Sequence, residues 1–167
     1  MNKSDTIVTI KETTANPAPL GLLGFGMTTV LLNLHNAGLY ELNSMTIGMG
    51  IFVGGIAQII AGIMEWKKNN TFGATAFSAY GSFWIALVII WLLPKTSIGA
   101  DLKSDNVSMG WFLLMWGIFT AFMFIGTLRL NRALQTVFGS LVILFLLLSI
   151  ADFTGIKVIK VIAGIEG

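Results

Sequence analysis

Cysteine is absent from the chain. That excludes a disulfide scaffold and thiolate metal sites, and leaves the compartment open. Histidine occurs once, as His35, so a histidine-based metal site is implausible and no metal or other cofactor is expected. Charge is scarce too: Asp, Glu, Lys and Arg make up 11% of the residues, where a soluble domain carries roughly 25%. So little charge cannot cover a water-facing surface. The basic residues form no cluster longer than Lys67-Lys68, so nothing tracks a phosphate backbone and no nucleic-acid partner is expected. No Ser/His/Asp arrangement, phosphate loop or pair of carboxylates is present, which argues against an enzyme.

Apolar residues fill the space left by charge, at 55% of the chain. Five runs lack Asp, Glu, Lys and Arg: Leu20–Leu39, Met45–Met64, Thr71–Leu93, Asn106–Leu128 and Ala133–Ala151. About 20 apolar residues in a helix cross the roughly 30 Å of bilayer hydrocarbon. Lipid offers the backbone no hydrogen bonds, so the spans are expected to be helices. The runs do not alternate, which argues against a barrel. The sequence thus predicts an all-α, polytopic bundle in the lipid bilayer. Its connections are short (Tyr40–Ser44, Glu65–Asn70, Pro94–Asp105 and Arg129–Arg132), so neighbouring helices are antiparallel.

Loop charge sets the expected orientation. With the N-terminus inside, the cytoplasmic side holds Lys3, Lys11, Lys67, Lys68, Arg129 and Arg132, and the outer side holds Lys95, Lys103, Lys157 and Lys160. The N-terminus is therefore expected in the cytoplasm. Residues 1–15 mix charged and polar side chains, and the first apolar run is too long for a cleavable signal peptide. Three regions result: a cytoplasmic segment over 1–19, a transmembrane domain over 20–151, and an outer loop with a short apolar run over 152–167. Twelve residues from Ile156 to Gly167 rise only about 18 Å as a helix, too little to cross. Trp66, Trp91 and Trp111 lie near span ends, where aromatic belts form.

Polar and small residues inside the spans mark candidate function. Span two carries Gly50, Gly54, Ala57 and Ala61 in one stripe, suited to helix packing within the chain or between chains. A second stripe places Gln58 among Gly55 and Gly62. A mid-membrane glutamine faces either a pathway or a partner helix. Span one holds Thr28, Thr29 and Asn33, with Asn36 and His35 near its end. Threonine can bond its own helix. The Asn33–His35–Asn36 group is either a cap or a pathway mouth, and His35 is a candidate proton-sensitive group there. Span three sets Thr71, Thr75, Ser78 and Ser82 on one face and Gly73, Phe77, Tyr80 and Trp84 on another. Tyr80 is mid-span, and its hydroxyl needs a partner. The candidate pathway residues are thus Thr28, Thr29, Asn33, Gln58, Thr75 and Ser78. No span contains a fixed charge, so an anion would meet only neutral donors, bind weakly and release readily. No embedded carboxylate is expected to relay protons; in proton-coupled transport the proton would travel on the acid itself.

The string NPAPLGLLGFGMTTVLLNLHN at 16–36 opens span one, and GIFVGGIAQIIAG (50–62), NTFGATAFSAYGSFW (70–84) and GTLRLNRALQTVFGSL (126–141) follow. Pro17 and Pro19 give an extended entry, and Pro19 fits the first turn of a helix. These segments resemble the acetate uptake transporter family, which includes the bacterial succinate–acetate permeases. The resemblance covers nearly the whole chain. It implies six membrane helices per protomer, assembly as a homohexamer, a pathway through each protomer for acetate and related small carboxylates such as succinate, and residence in the cell membrane. It also implies a narrow point built from Phe, Tyr and Leu, which falls on Phe25, Tyr80 and Leu141. Against that pattern the chain is expected to hold five complete spans and only the start of a sixth. Ammonium or ammonia movement, and a non-transporting structural role, are the alternatives.

Overall fold

The computed structural model describes residues 14–167, so most of the N-terminal segment lies outside the described residues. Five long helices form the body: α1 Ala18–Asn36, α2 Ser44–Lys67, α3 Thr71–Leu92, α4 Asn106–Thr127 and α5 Arg132–Thr154. A short α6 follows at Lys157–Glu166. All five are long and apolar enough to cross a membrane. The chain is a multi-pass, all-helical membrane protein.

Asx side chains in the loops set where the helices begin. Asn43 accepts from the amides of Met45 and Thr46, and Asn70 from that of Gly73. Asp105 accepts from Ser108, and Asn131 from Leu134. Each bond satisfies an amide that the first turn leaves without a partner. At the far end of α5, Gly155 takes φ +70° and closes the helix, a backbone shape glycine adopts without strain. The apolar runs differ from the helices at two places. α1 stops at Asn36, before Leu39, because the chain turns at Gly38 with φ +86°. α2 runs on past Met64 to Lys67 and so includes Glu65.

The expected spacing along α2 also changes. Residues Gly50–Ala57 wind as a π-helix, with more residues per turn than the α-helix. The two small-residue stripes therefore merge, and Gly50, Gly54, Gly55, Gln58, Ala61 and Gly62 are all buried. The glycines among them serve packing within the chain. A Cβ on Gly54 would lie 2.8 Å from Trp84 Cγ, and one on Gly62 would lie 2.2 Å from Ser78 Oγ. Backbone approach of this kind replaces the hydrophobic drive that lipid removes. α4 and α5 pack as a close hairpin, where the Ser149 hydroxyl donates to the Gly110 carbonyl at 2.9 Å. α6 lies against α1 and α5 through buried Ala163 and through Gly164, where a Cβ would meet the Ala37 nitrogen at 2.4 Å.

An aromatic core of Tyr80, Phe83, Trp84, Phe138 and Phe145 joins α3 to α5. The outside is apolar as well. Phe52, Met115 and Phe122 are 64%, 60% and 70% exposed, which water would not tolerate over so wide a band.

Candidate functional site

Phe25, Tyr80 and Leu141 come from α1, α3 and α5 and converge at mid-height of the bundle. The Phe25 and Tyr80 rings are 5.7 Å apart between centroids. All three side chains line a cavity of about 310 Å³ on one side and a space of about 30 Å³ on the other. They stand where the two spaces meet, a place we call the neck. The larger cavity opens toward the end that carries Lys67 and Arg132, through Ala18, Asn70 and Asn131.

Tyr80 is 3% exposed and ringed by Phe25, Trp116, Phe119 and Phe138. Its hydroxyl lies 2.9 Å from Thr120 Oγ1, which lies 2.7 Å from the Trp116 carbonyl. A hydroxyl has one hydrogen. Thr120 donates its hydrogen to that carbonyl, so Tyr80 donates to Thr120. The Tyr80 proton is thereby committed inside the core. The neck has an apolar face and no free donor.

On the far side of the neck, α1 presents a polar face at helical spacing. Thr29 lines the spaces beside Phe25 and Leu141, and Asn33 lines the small cavity. Asn36 and His35 line a separate cavity of about 430 Å³ with Glu41, Asp152, Lys157 and Lys160. Asn33 is 3% exposed and its Nδ2 has no partner. Its Oδ1 accepts from Asn36 Nδ2 at 3.4 Å. His35 Nδ1 lies 2.8 Å from the Tyr40 carbonyl, so the ring is tied to the loop after α1.

The other expected pathway residues are distributed differently. Gln58 is fully buried and lines the large cavity. Its Nε2 donates to the Gly54 carbonyl at 2.8 Å, and its Oε1 has no partner. Thr28 is turned to α2 instead: its hydroxyl donates to the Gly24 carbonyl at 2.6 Å and packs where Gly54 leaves room. Thr75 is exposed on the outer surface, and Ser78 packs on Gly62. The hydroxyl face of α3 looks away from the neck because Tyr80 occupies the opposite face.

Glu65 overturns the expectation of a span without embedded charge. It belongs to the last turn of α2, is 2% exposed and lines the large cavity. Asn70 Nδ2 donates to its Oε2 at 2.7 Å. One signal was available: Gln58, Gly62 and Glu65 fall at i, i+4 and i+7, the face that Gln58 already marked.

Known proteins resemble the chain along most of its length. Residues 2–167 match the model of the GPR1/FUN34/yaaH family. The chain is 56% identical over 150 residues to the succinate-acetate/proton symporter SatP of Escherichia coli K12, covering 90% of this chain and 79% of that one. It is 40% identical over 146 residues to ammonia transport outward protein 2 of Saccharomyces cerevisiae, covering 84% of this chain and about half of that protein, 52%. The solved structure of the bacterial acetate channel SatP superposes with a TM-score of 0.89 at 54% identity, over 92% of this chain and 84% of that one. The five-span bundle and the matched length together establish that the chain belongs to the GPR1/FUN34/yaaH family.

Proposed function

We propose that the protein is a permease for acetate and related small carboxylates, succinate among them, in the cell membrane. One observation carries the reading: an uncharged neck of Phe25, Tyr80 and Leu141 separates two cavities in a chain 56% identical to a succinate-acetate/proton symporter. The Lys67 end faces the cytoplasm, as the tight basic loops favour. The N-terminal segment is then cytoplasmic, and α6 begins on the outer side. Outward-facing apolar residues such as Phe52 and Phe122 suit lipid and neighbouring copies, in keeping with a homohexamer. The solute passes Thr29 and Asn33 before the neck and Gln58 after it. Narrow apolar walls hold water back and set the size limit.

Radiolabelled acetate uptake into proteoliposomes, with and without a pH gradient, tests the proposal. Uptake above protein-free vesicles is expected, larger with the gradient. Absence of uptake under both conditions refutes it. Ammonia movement is the second reading, favoured by the Glu65 carboxylate in the large cavity. It predicts ammonium-dependent alkalinisation or acidification of the vesicle lumen without acetate. A non-transporting role predicts that Phe25→Ala and Tyr80→Ala leave flux unchanged.

A further inference from the structure

We propose that Glu65 is the proton acceptor of the cytoplasmic vestibule, taking the proton from a carboxylic acid that has crossed the neck in neutral form. This rests on the permease reading above. A bare carboxylate in a narrow apolar passage loses its hydration, and the loss is far costlier for an ion than for a neutral acid. The neck has no compensating donor, because the Tyr80 hydrogen is held by Thr120. The solute therefore crosses as the acid and must lose a proton on the inner side.

Glu65 is built for that step. Asn70 Oδ1 accepts from the Gly73 amide at 3.1 Å, which fixes the side chain so that Nδ2 faces Glu65. Gly73 leaves room for the carboxylate over the first turn of α3: a Cβ there would lie 3.1 Å from Glu65 Cδ. The carboxylate thus lies over the first turn of α3, whose dipole favours negative charge, while its own place in the last turn of α2 opposes that charge. It faces the same cavity as the neck residues. Among the described residues that line this cavity, Tyr80 is the only other titratable group. Asn70, just before α3, and Gly73 in its first turn lie against Glu65, and the same cavity is lined by Ala18 and Leu22 of α1, by Asn131 just before α5 and by Ala133 in it. The cations nearest in sequence are Lys67 on its own helix and Lys68 just after it, and Arg132 begins α5; Lys68 Nζ is held by the Thr14 and Ala15 carbonyls at 3.5 and 3.4 Å.

The step balances. The acid transfers its proton to the Glu65 carboxylate, leaving a carboxylate anion and a neutral Glu65. The anion leaves to the cytoplasm, and Glu65 releases the proton to cytoplasmic water. The restored negative charge then repels the anion from re-entering the neck.

The test uses the full chain in proteoliposomes and compares acetate/acetate exchange at equal pH with uptake driven by a pH gradient. Glu65→Gln keeps the shape and an acceptor for Asn70. It is expected to retain thermal stability while exchange and gradient-driven uptake both fall by about a hundredfold, the lower end of what a positioned proton acceptor contributes. Glu65→Asp is expected to keep gradient-driven uptake with a displaced pH profile. If Glu65→Gln retains driven uptake with the parent pH profile, the proposal is overturned. A fall in Glu65→Asp as deep as in Glu65→Gln, with no displacement of the pH profile, overturns it as well, since Glu65 would then serve permeation or folding. Absence of flux in the parent chain would instead overturn the permease reading.

Discussion

Removing the Tyr80 hydroxyl distinguishes a neck that donates to its solute from one that does not. A hydrogen bond to a charged group contributes about 1.5–3 kcal/mol. Since about 1.4 kcal/mol is tenfold, a hydroxyl serving the anion at the neck would make Tyr80→Phe roughly 10- to 150-fold slower. The geometry gives the hydroxyl to Thr120 at 2.9 Å instead. Tyr80→Phe is therefore expected to keep acetate flux within about threefold, a barrier change under 1 kcal/mol. Its cost appears in stability, about 0.5–1.5 kcal/mol for one buried hydrogen bond. Thr120→Val leaves the Tyr80 hydroxyl buried without an acceptor, and about 1–3 kcal/mol of stability is lost. The double variant recovers part of that loss, because neither partner is then stranded. Initial uptake rates in proteoliposomes, together with thermal unfolding of the purified protein, measure both arms. A tenfold or greater fall in flux for Tyr80→Phe, at unchanged stability, would refute the hydroxyl assignment.

Gly54→Ala puts a Cβ 2.8 Å from Trp84 Cγ and 2.9 Å from Thr28 Oγ1, so a loss of about 1–3 kcal/mol from overpacking is expected in the melting temperature. Gly26→Ala, whose Cβ would meet nothing beyond its own helix turn among the described residues, is the control without overpacking. Asn131→Ala removes the cap that accepts from the Leu134 amide at 2.9 Å, and a stability loss of about 1 kcal/mol is expected in the same assay. Asp105 is exposed, and the Ser108 hydroxyl and amide hold its carboxyl below the ordinary carboxylate value. A carboxyl depressed in the folded state adds stability above its unfolded pKa and loses it as pH falls through the folded one. The melting temperature should therefore drop less on acidification in Asp105→Asn, which keeps the cap without a titrating group, than in the parent chain.

The spans were legible because exclusion of charge is a local, additive property of the chain, and each of the five runs coincides with a helix to within a few residues. Tyr80 was legible because a mid-span tyrosine has no interface to reach. The π-helical winding of Gly50–Ala57 was not, since counting stripes at 3.6 residues per turn presupposes the α-helix. Periodicity separated the two faces of α3 but could not tell which one looks inward, so Thr75 and Ser78 were placed on the wrong side. Glu65 was hidden by its neighbours: beside Lys67 and Lys68 it reads as loop charge. Its burial comes from Asn70 and Gly73 on the next helix.

The account's central claim is that the neck of Phe25, Tyr80 and Leu141 decides what passes. Leu141 is 5% exposed and faces the spaces on both sides, so Leu141→Ala widens the neck by three carbon atoms while leaving the outer surface intact. The direct measurement is the ratio of butyrate to acetate uptake by the parent, by Leu141→Ala and by Ile143→Ala, which trims an exposed residue of the same helix. The ratio is predicted to rise severalfold for Leu141→Ala alone. An unchanged ratio in a folded, acetate-transporting Leu141→Ala protein would contradict the claim.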